Sequence, residues 1–393
     1  MVAPFQFARI PMIIFGAGKI NEITGIIKTY GTNLLLVTGR QSFIQSPAYE
    51  MFTGSLKEKG VSWYHVIIPA EPSPEMIDRE VARLNTEKVD LVVGIGGGSV
   101  LDAGKAISAM MYKQESVEDF LEGVGILEHP GTKLPFIAVP TTSGTGSEAT
   151  KNAVISRIGP NGFKRSLRHD NFVPDIAVVD PELTLGCPEE ITAASGMDCY
   201  TQLMEAYLST KSNPYSDALA FEGLKAIKSS LLKSYNNRQD IEARAGMSFA
   251  ALTSGICLAN AGLGVVHGFA ASIGGMYDIP HGVVCGTLMA KTNEVIVREM
   301  RKTGNYGRGL KKYAILGRLF IDVEGRGDDY YIDGFISHLH ELTNKLQLPG
   351  LRQFDFKEED IKLICKTTDN KNNPVNLTTE NLIEIINYRL TRF

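Results

Sequence analysis

Short apolar runs recur through the first half of this 393-residue chain, and most of them end at a glycine or a proline. Continuous runs of this kind, without polar alternation, are typical of parallel strands that are buried on both faces. Helical patterns lie between the runs, as in 74–85, which opens at Ser73-Pro74 with a capping serine and a first-turn proline. The alternation predicts a doubly wound parallel sheet. The runs interpreted as strands are 33–38, 62–68, 90–95, 134–139 and 176–179.

The pattern changes after Asp180-Pro181, where strand-like runs nearly disappear. Helical periodicity continues towards the end of the chain, and 366–376 is the most loop-like stretch. We therefore expect an α/β domain over residues 1–182 and an all-helical domain over residues 183–393. The helices predicted for the second domain are 188–209, 215–235, 241–259, 283–298, 310–320, 331–345 and 379–388.

Charge and composition argue against two classes of partner. The net charge is −4, from 40 basic and 44 acidic residues, so no basic field attracts nucleic acid or an anionic membrane. Residues 245–277 carry no Asp, Glu, Lys or Arg, and a bilayer is spanned by about 20 residues. That segment is nevertheless rich in Gly, Ala, Ser and Thr and contains His267, so we interpret it as buried core helices.

The cysteines indicate whether the cellular compartment is reducing or oxidising. The five of them are scattered and form no CxxC pair, so neither a disulfide framework nor a zinc knuckle is predicted. The amino end also lacks the basic stretch and unbroken apolar core of a signal peptide. We expect a reducing, cytoplasmic location.

A glycine-rich turn follows the predicted strand 90–95. Gly97, Gly98 and Ser99 stand where a helix begins, and glycines there let the backbone approach a phosphate at the helix amino end. The pattern is neither GxGxxG nor a Walker loop, and Asp102 is too close to the turn to be the ribose-binding acid of a dinucleotide fingerprint. A purely structural turn is the alternative interpretation.

A second loop strengthens the ligand interpretation. Thr141 and Thr142 open a stretch that reaches Ser147 and holds five hydroxyl residues and two glycines directly after a predicted strand. Polar loops at the carboxyl ends of strands form the ligand rim of open α/β sheets. The alternative is a helix-capping loop, because Ser147-Glu148 could open a helix.

Three residues of the second half suggest a metal site. Asp198 lies on a predicted helix, with Gln202 one turn later on the same face, and His267 and His281 lie fourteen residues apart in the most apolar region. From spacing alone, a hydrogen-bonded core histidine remains the more common explanation for each imidazole.

Taken together, these segments resemble the iron-containing (group III) alcohol dehydrogenase family. The resemblance extends over nearly the whole chain and rests on several long motifs in the family's order. They include FGAGKINEI, GGGSVLDAGKAI, PTTSGTGSEAT, GMDCYTQLMEAY and GLGVVHGFAASIGGMYDIPHGVVCG. The resemblance implies a dehydroquinate synthase-like fold, with an NAD(P)-binding amino-terminal domain, an all-helical metal and substrate domain, and hydride transfer between nicotinamide and a small alcohol or aldehyde. It also implies a homodimer, in which the stretch 5–15 would form a strand that pairs with a partner's edge.

The resemblance implies roles for individual residues. Gly97, Gly98 and Ser99 would hold the pyrophosphate, and Asp102 would lie near the nicotinamide end. The implied cofactor contacts further along the chain are Thr141, Thr142, Ser147 and Lys164. The residues that match metal-ligand positions, for Fe²⁺ or Zn²⁺, are Asp198, His267 and His281, with Gln202 at the fourth position.

Two departures from the family pattern bear on chemistry. Iron-binding members usually carry His where this chain has Gln202, and a Gln amide oxygen is a weaker ligand than imidazole. Many also carry His four residues after His267, where this chain has Ala271. The proton donor is therefore unassigned, and the candidates are a water or alkoxide on the metal and Asp102. Related glycerol dehydrogenases also lack the first histidine and bind zinc through three residues, so a metal site on Asp198, His267 and His281 is still expected.

The coenzyme preference is predicted from the end of the first long strand. Many NAD-using relatives have an acidic residue where this chain has Gly39, followed here by Arg40. No negative charge would repel a 2′-phosphate, and a guanidinium can pair with it bidentately. We expect NADP(H) to be favoured over NAD(H).

Three alternatives stay open. A metal-free reductase of the maleylacetate reductase type is favoured by Gln202 but disfavoured by the retention of Asp198, His267 and His281. A non-redox lyase like 3-dehydroquinate synthase shares the fold. A non-catalytic protein on this fold is the third.

Overall fold

A computed structural model of the chain describes residues 3–159, 162–302 and 307–391. Six strands form one parallel sheet in the order β1-β8-β5-β4-β2-β3, and β6 pairs with β7 in an antiparallel hairpin. The strands are β1 (Met12–Phe15), β2 (Asn33–Gly39), β3 (Ser62–Ile68), β4 (Leu91–Gly96), β5 (Phe136–Pro140), β6 (Asn152–Arg157), β7 (Phe163–Arg168) and β8 (Ile176–Val179).

Helices cover both faces of the sheet and make up the second half of the chain. The helices are α1 (Ile23–Tyr30), α2 (Pro47–Glu58), α3 (Pro74–Leu84), α4 (Gly98–Met110), α5 (Glu189–Leu208), α6 (Pro214–Asn236), α7 (Ile241–Ala261), α8 (Val265–Met276), α9 (His281–Lys302), α10 (Arg308–Phe320), α11 (Asp328–Lys345), α12 (Ile361–Thr367) and α13 (Thr379–Thr391).

The sheet is buried on both faces, as the continuous apolar runs predict. In β2, Leu35 and Val37 belong to the core on one face, and Leu34 and Leu36 belong to the core on the other. Because neighbouring residues of a strand point to opposite faces, a strand covered on both sides must be apolar at every position. The predicted parallel sheet is confirmed.

The order of the strands indicates where a ligand crevice lies in this sheet. The connection after β2 leads through α2 to β3 on one side, and the connection after β4 leads through α4 to β5 on the other. Crevices of open α/β sheets lie outside the carboxyl ends of strands at such a reversal. Gly39 ends β2 and Gly96 ends β4, so both predicted nucleotide turns flank this point.

The second half of the chain is helical from Glu189 onward in the part that the structure describes, which confirms the predicted all-helical region. Its centre is α5, which is buried at every position from Gly196 to Leu208 and packs against α6, α7 and α9. A helix that is buried on all sides needs no polar face. The division into two domains near residue 182 stays a prediction.

The apolar segment 245–277 forms most of α7 and all of α8. Among the described residues, no single helix has the length and apolar composition to cross a membrane. Only α7 and α8 taken together meet that test, and they are bent by 98° at the break between them.

One sequence expectation is wrong in its extent. The stretch 5–15 is not a strand throughout, since only Met12–Phe15 is extended in a ladder, and it pairs with β8 of the same chain. Pro11 immediately precedes β1 and lacks the N–H that a ladder needs. The prediction that this segment pairs with another protomer is not tested by a single chain.

Candidate metal centre and nucleotide cleft

Four side chains from three helices meet at one point. Asp198 lies on α5, His267 lies on α8, and His281 and Cys285 lie one turn apart on α9; one donor atom from each lies within 4.8 Å of all the others. The Asp198 Oδ1 atom is 3.3 Å from His267 Nε2 and 3.7 Å from His281 Nε2. The Cys285 Sγ atom is 3.7 Å from each of these imidazole nitrogens. Asp198, His267 and His281, which the sequence predicts as metal ligands, are therefore brought together.

The close approach of α9 to α5 depends on two glycines. A Cβ atom on Gly286 would lie 2.8 Å from the Cβ of Met197, and one on Gly282 would lie 2.4 Å from the carbonyl oxygen of Ala194. Real Cβ atoms do not come this near, so only glycine at both positions lets the two backbones pack at this distance. The glycines alternate with His281 and Cys285 and bring both towards Asp198.

The cluster is buried, with one open side. The side chains of Asp198, His267 and Cys285 are 2%, 5% and 0% exposed, whereas that of His281 is 27% exposed. Asp198 Oδ1 is buried and receives no hydrogen bond. A buried carboxylate oxygen without a partner, surrounded by two imidazole nitrogens and a sulfur, has the donor chemistry of a divalent-metal site.

The pKa values within the cluster follow from burial and charge. Burial lowers the pKa of His281 to about 4, so its imidazole is neutral at pH 7 and keeps a lone pair for a cation. Burial raises the pKa of Cys285 to about 12. For Asp198, burial works towards a higher pKa, but His281 and His267 outweigh it and hold the pKa below its usual value.

A carboxylate contacts the ring nitrogen of His267 that does not face the cluster, and so orients the imidazole. Glu205 Oε2 lies 2.6 Å from His267 Nδ1, and Glu205 Oε1 accepts a hydrogen bond of 2.7 Å from the backbone N–H of Val266. Because Nδ1 is used in this contact, Nε2 faces the other donors, as in carboxylate–histidine–metal arrangements. The sequence analysis did not identify Glu205, although it follows Asp198 by seven residues, which is two turns of the same helix.

Gln202, the predicted fourth ligand, lies one turn after Asp198 and is buried. Its Nε2 donates a hydrogen bond of 3.0 Å to the carbonyl oxygen of Thr145, while its Oε1 has no hydrogen-bond partner. The amide thus links α5 to the hydroxyl-rich loop. That the amide of Gln202 is a metal ligand stays a prediction.

Cys285 was not predicted as a ligand. The sequence feature that could have indicated it is its spacing of four residues from His281, at the start of a predicted helix.

The two predicted nucleotide loops lie side by side. Gly97 precedes the first turn of α4, which begins with Gly98 and Ser99. The backbone N–H of Thr141 donates to the carbonyl of Gly96 at 3.0 Å, and a Cβ on Gly98 would lie 2.9 Å from Thr145 Oγ1. The free N–H groups of the first turn of α4 therefore open between the loops, where a phosphate would be bound.

A buried lysine fixes the second loop. Lys105 Nζ donates to the carbonyl of Ser147 at 2.9 Å, to Thr150 Oγ1 at 3.0 Å and to the carbonyl of Asn152 at 2.8 Å. Burial lowers the pKa of Lys105 to about 8. Ser147 Oγ donates to a carboxylate oxygen of Asp102, so these two predicted cofactor residues contact each other inside the protein.

The remaining predicted cofactor residues lie at the edges of the crevice. Arg40 is exposed directly after Gly39. The side chain of Lys164 on β7 is 7% exposed and forms an ion pair with Glu71 at 2.5 Å. Thr142 is half-buried beside Gly97, with its Oγ1 3.4 Å from where a Cβ of that glycine would stand.

Comparison with known proteins agrees with this architecture. A model of the iron-containing alcohol dehydrogenase family matches residues 11–181, and a model of the C-terminal region of the Fe-containing alcohol dehydrogenase family matches residues 192–390. The chain belongs to the iron-containing alcohol dehydrogenase family. It is accordingly an NAD(P)-dependent alcohol dehydrogenase, as the sequence motifs imply.

Individual relatives support the family assignment along the whole chain. Long-chain-alcohol dehydrogenase 1 of Geobacillus thermodenitrificans is 36% identical over 276 residues, which is 69% of this chain and 68% of that protein. Alcohol dehydrogenase 4 of Saccharomyces cerevisiae is 30% identical over 383 residues, which is 96% of each chain. The crystal structure of a 1,3-propanediol oxidoreductase superimposes with a TM-score of 0.87 at 26% identity, covering 98% of this chain and all of the other.

Proposed function

We propose that this alcohol dehydrogenase is metal-dependent, favours NADP(H), and interconverts a small alcohol and its aldehyde. The cluster of Asp198, His267 and His281 carries the proposal, because its buried carboxylate oxygen has no hydrogen bond and faces two imidazole nitrogens. The same cluster is linked through Gln202 to the loop beside the glycine-rich turn. A cation and a nicotinamide would thus be close enough to act on one substrate.

The residues fit a divalent cation, Fe²⁺ or Zn²⁺. Such a cation, when bound, would act as a Lewis acid that polarises the oxygen of the alcohol or aldehyde. The chain's own contribution is to orient the donors. Glu205 fixes the ring of His267, and burial keeps His281 neutral. The exposed edge of His281 marks the side from which a substrate enters.

The proposed coenzyme preference rests on Arg40. It is exposed beside the crevice, it follows a glycine rather than an acidic residue, and it forms no ion pair with the described residues. A charge-assisted hydrogen bond contributes about 1.5–3 kcal/mol, which corresponds to roughly 10- to 100-fold in kcat/KM.

The test measures the oxidation of NADPH and NADH with a panel of small aldehydes, using protein purified anaerobically and assayed for iron and zinc. We expect kcat/KM to be higher with NADPH, and Arg40→Ala to lower it roughly 10-fold or more for NADPH but not for NADH. Arg79→Ala, an exposed arginine on α3, is the matched control. A wild-type enzyme that is more efficient with NADH would refute the preference.

Removal of the metal tests the Lewis-acid part separately. We expect dialysis against a chelator to abolish turnover and stoichiometric Fe²⁺ or Zn²⁺ to restore it. Full activity in metal-free protein would instead support a reductase of the maleylacetate reductase type.

We further propose a homodimer in the cytoplasm. Met12, Ile13 and Phe15 are exposed on β1, which is an edge strand of the sheet, and such an edge can pair with a second copy. The five cysteines are all free, which suits a reducing compartment. Sedimentation equilibrium should give twice the 42.9 kDa of one chain, and a monomer would exclude the dimer.

A further inference from the structure

We propose that Cys285 is a fourth donor to the metal, and that it biases this site towards zinc rather than iron. The inference rests on the proposed function, because it concerns the same site. Its experiment reads the ligands of the metal directly and does not depend on turnover.

The separations between donor atoms favour four-coordinate binding. Tetrahedral zinc bonds to N and O at about 2.0–2.2 Å and to S at about 2.3 Å, so neighbouring donors lie roughly 3.3–3.6 Å apart. Four separations in the cluster are 3.3, 3.7, 3.7 and 3.7 Å, and the others are at most 4.8 Å. The first four need shifts of a few tenths of an ångström to reach tetrahedral values, and the other two would have to close by at most about 1.5 Å when a cation binds.

The sulfur of Cys285 is placed evenly between the two imidazole donors. Cys285 is completely buried, and its Sγ lies at the same distance from the Nε2 atoms of His267 and His281. The amide of Gln202 is oriented by its bond to Thr145, in the loop on the nucleotide side. The helix that carries His281 therefore supplies two donors to the cluster, one turn apart on the same face.

The donor set determines which metal is favoured. A thiolate is a soft ligand that suits zinc, whereas sites of ferrous iron are built mainly from imidazole and carboxylate. Cys285 must lose its proton to the solvent when it binds, as a metal-bound thiol does. With four donors from the protein, the substrate oxygen would have to join as a fifth ligand, which zinc accepts.

The first experiment uses cobalt as a spectroscopic probe in metal-free protein. A thiolate ligand gives Co²⁺ an intense sulfur-to-metal charge-transfer band in the near ultraviolet. We expect the band in the wild type, its loss in Cys285→Ser, and its retention in Cys257→Ser, which changes another fully buried cysteine of the helical region. Persistence of the band in Cys285→Ser would overturn the proposal.

The second measurement needs no variant, so it stands even if Cys285→Ser fails to fold. X-ray absorption of the zinc-loaded wild type should show one sulfur scatterer at about 2.3 Å. A shell of nitrogen and oxygen alone would overturn the role of Cys285 while leaving metal-dependent catalysis intact. Folded wild type that binds neither cobalt nor zinc would overturn both.

Metal preference is measured by competition against chelators of known affinity. In Cys285→Ser we expect the Kd for zinc to rise at least as much as after loss of an outer-shell partner, roughly 10- to 100-fold. The Kd for ferrous iron should change less. Equal changes for the two metals would refute the bias towards zinc.

Discussion

At the scale of single residues, the contact between Glu205 and His267 would determine how tightly the proposed metal site binds its cation. The carboxylate serves two donors at once, the ring Nδ1–H of His267 and the backbone N–H of Val266. A Gln side chain has only one acceptor oxygen, so it can satisfy one of these donors but not both.

We therefore expect Glu205→Gln to weaken zinc binding by roughly 10- to 100-fold, the usual effect of losing an outer-shell partner. Chelator competition at pH 7 measures it. The matched control is Glu294→Gln, which changes a carboxylate that contacts His340 rather than a histidine of the cluster. An unchanged Kd in Glu205→Gln would mean that packing alone orients His267.

A second residue-scale prediction concerns Glu148, which is 2% exposed in the loop after β5. Burial raises the pKa of its carboxyl group to about 7. Between about pH 4.5 and pH 7 the folded chain keeps a proton that the unfolded chain has released, so stability falls as the pH rises. Above that window the free energy of unfolding stays lower by a constant amount, about 3 kcal/mol.

Glu148→Gln is neutral at every pH and lacks this cost. We expect the melting temperature of Glu148→Gln, relative to that of the wild type, to rise between pH 4.5 and pH 7.5. Glu58→Gln, on an exposed position of α2, should show a constant difference. A constant difference for Glu148→Gln too would show that its carboxyl group is ionised throughout.

At the scale of elements, the packing of α9 against α5 sets the separation of the metal donors. We expect Gly286→Ala to push the helices apart, because the new Cβ would meet Met197 at 2.8 Å and Leu348 at 2.7 Å. Overpacking of this kind costs about 1–3 kcal/mol in stability. It should also weaken zinc binding, since His281 and Cys285 would move away from Asp198.

The melting temperature and the zinc Kd check this prediction together. Gly54→Ala on α2 is the control, because nothing lies within 4 Å of a Cβ there, and it should be neutral or stabilising. A Gly286→Ala variant that binds zinc as the wild type does would show that the helices relax without moving their donors.

Some of the secondary-structure elements could be predicted from the sequence, and others could not. The central strands β2, β4, β5 and β8 were predicted because their burial on both faces makes nearly every position apolar. The hairpin of β6 and β7 was missed, because it is partly exposed and Phe163–Arg168 holds three basic residues and a serine without the alternation that signals a strand. No pattern in one chain reveals that α8 and α9 bring distant residues to the same point.

Some residues of the candidate site could likewise be predicted from the sequence, and others could not. Asp198, His267 and His281 were predicted through resemblance to a family, and the structure brings them together. Cys285 was missed because it is a single cysteine, whereas the familiar sequence signal of a metal-binding cysteine is a CxxC pair. Glu205 contacts His267 and is not itself one of the clustered donors, so no metal-ligand motif in the sequence includes it. The inward contacts of Asp102 and Ser147 depend on Lys105, whose burial a sequence does not show.

At the scale of the whole molecule, the hydroxyl-rich loop after β5 is packed directly against the helical region. Gly146 has a left-handed φ of +61°, and a Cβ there would lie 2.4 Å from the carbonyl oxygen of Ala251 on α7. Ser143 Oγ lies 3.2 Å from Ser248 Oγ, and Thr145 accepts the hydrogen bond from Gln202. The nucleotide site proposed on the loop and the metal site proposed on α5 would thus be mechanically connected.

We expect NADPH and zinc to bind cooperatively. Linkage requires that each ligand changes the affinity of the other by the same factor, which for coupled sites is roughly 5- to 150-fold. Fluorescence titration with NADPH, in the presence and absence of zinc, gives the factor by which zinc changes the affinity for NADPH. Chelator competition, in the presence and absence of NADPH, gives the factor by which NADPH changes the affinity for zinc.

Gln202→Ala removes the only side-chain hydrogen bond that we find between α5 and this loop among the described residues. The substitution is expected to change the intrinsic Kd of zinc, but the coupling factor is a ratio and is independent of that change. We predict that the factor falls towards 1 in Gln202→Ala and stays at its wild-type value in Gln353→Ala, an exposed glutamine of the helical region. An unchanged factor in Gln202→Ala would place the coupling in the contacts of the loop with α7, which are Gly146 against Ala251 and Ser143 against Ser248.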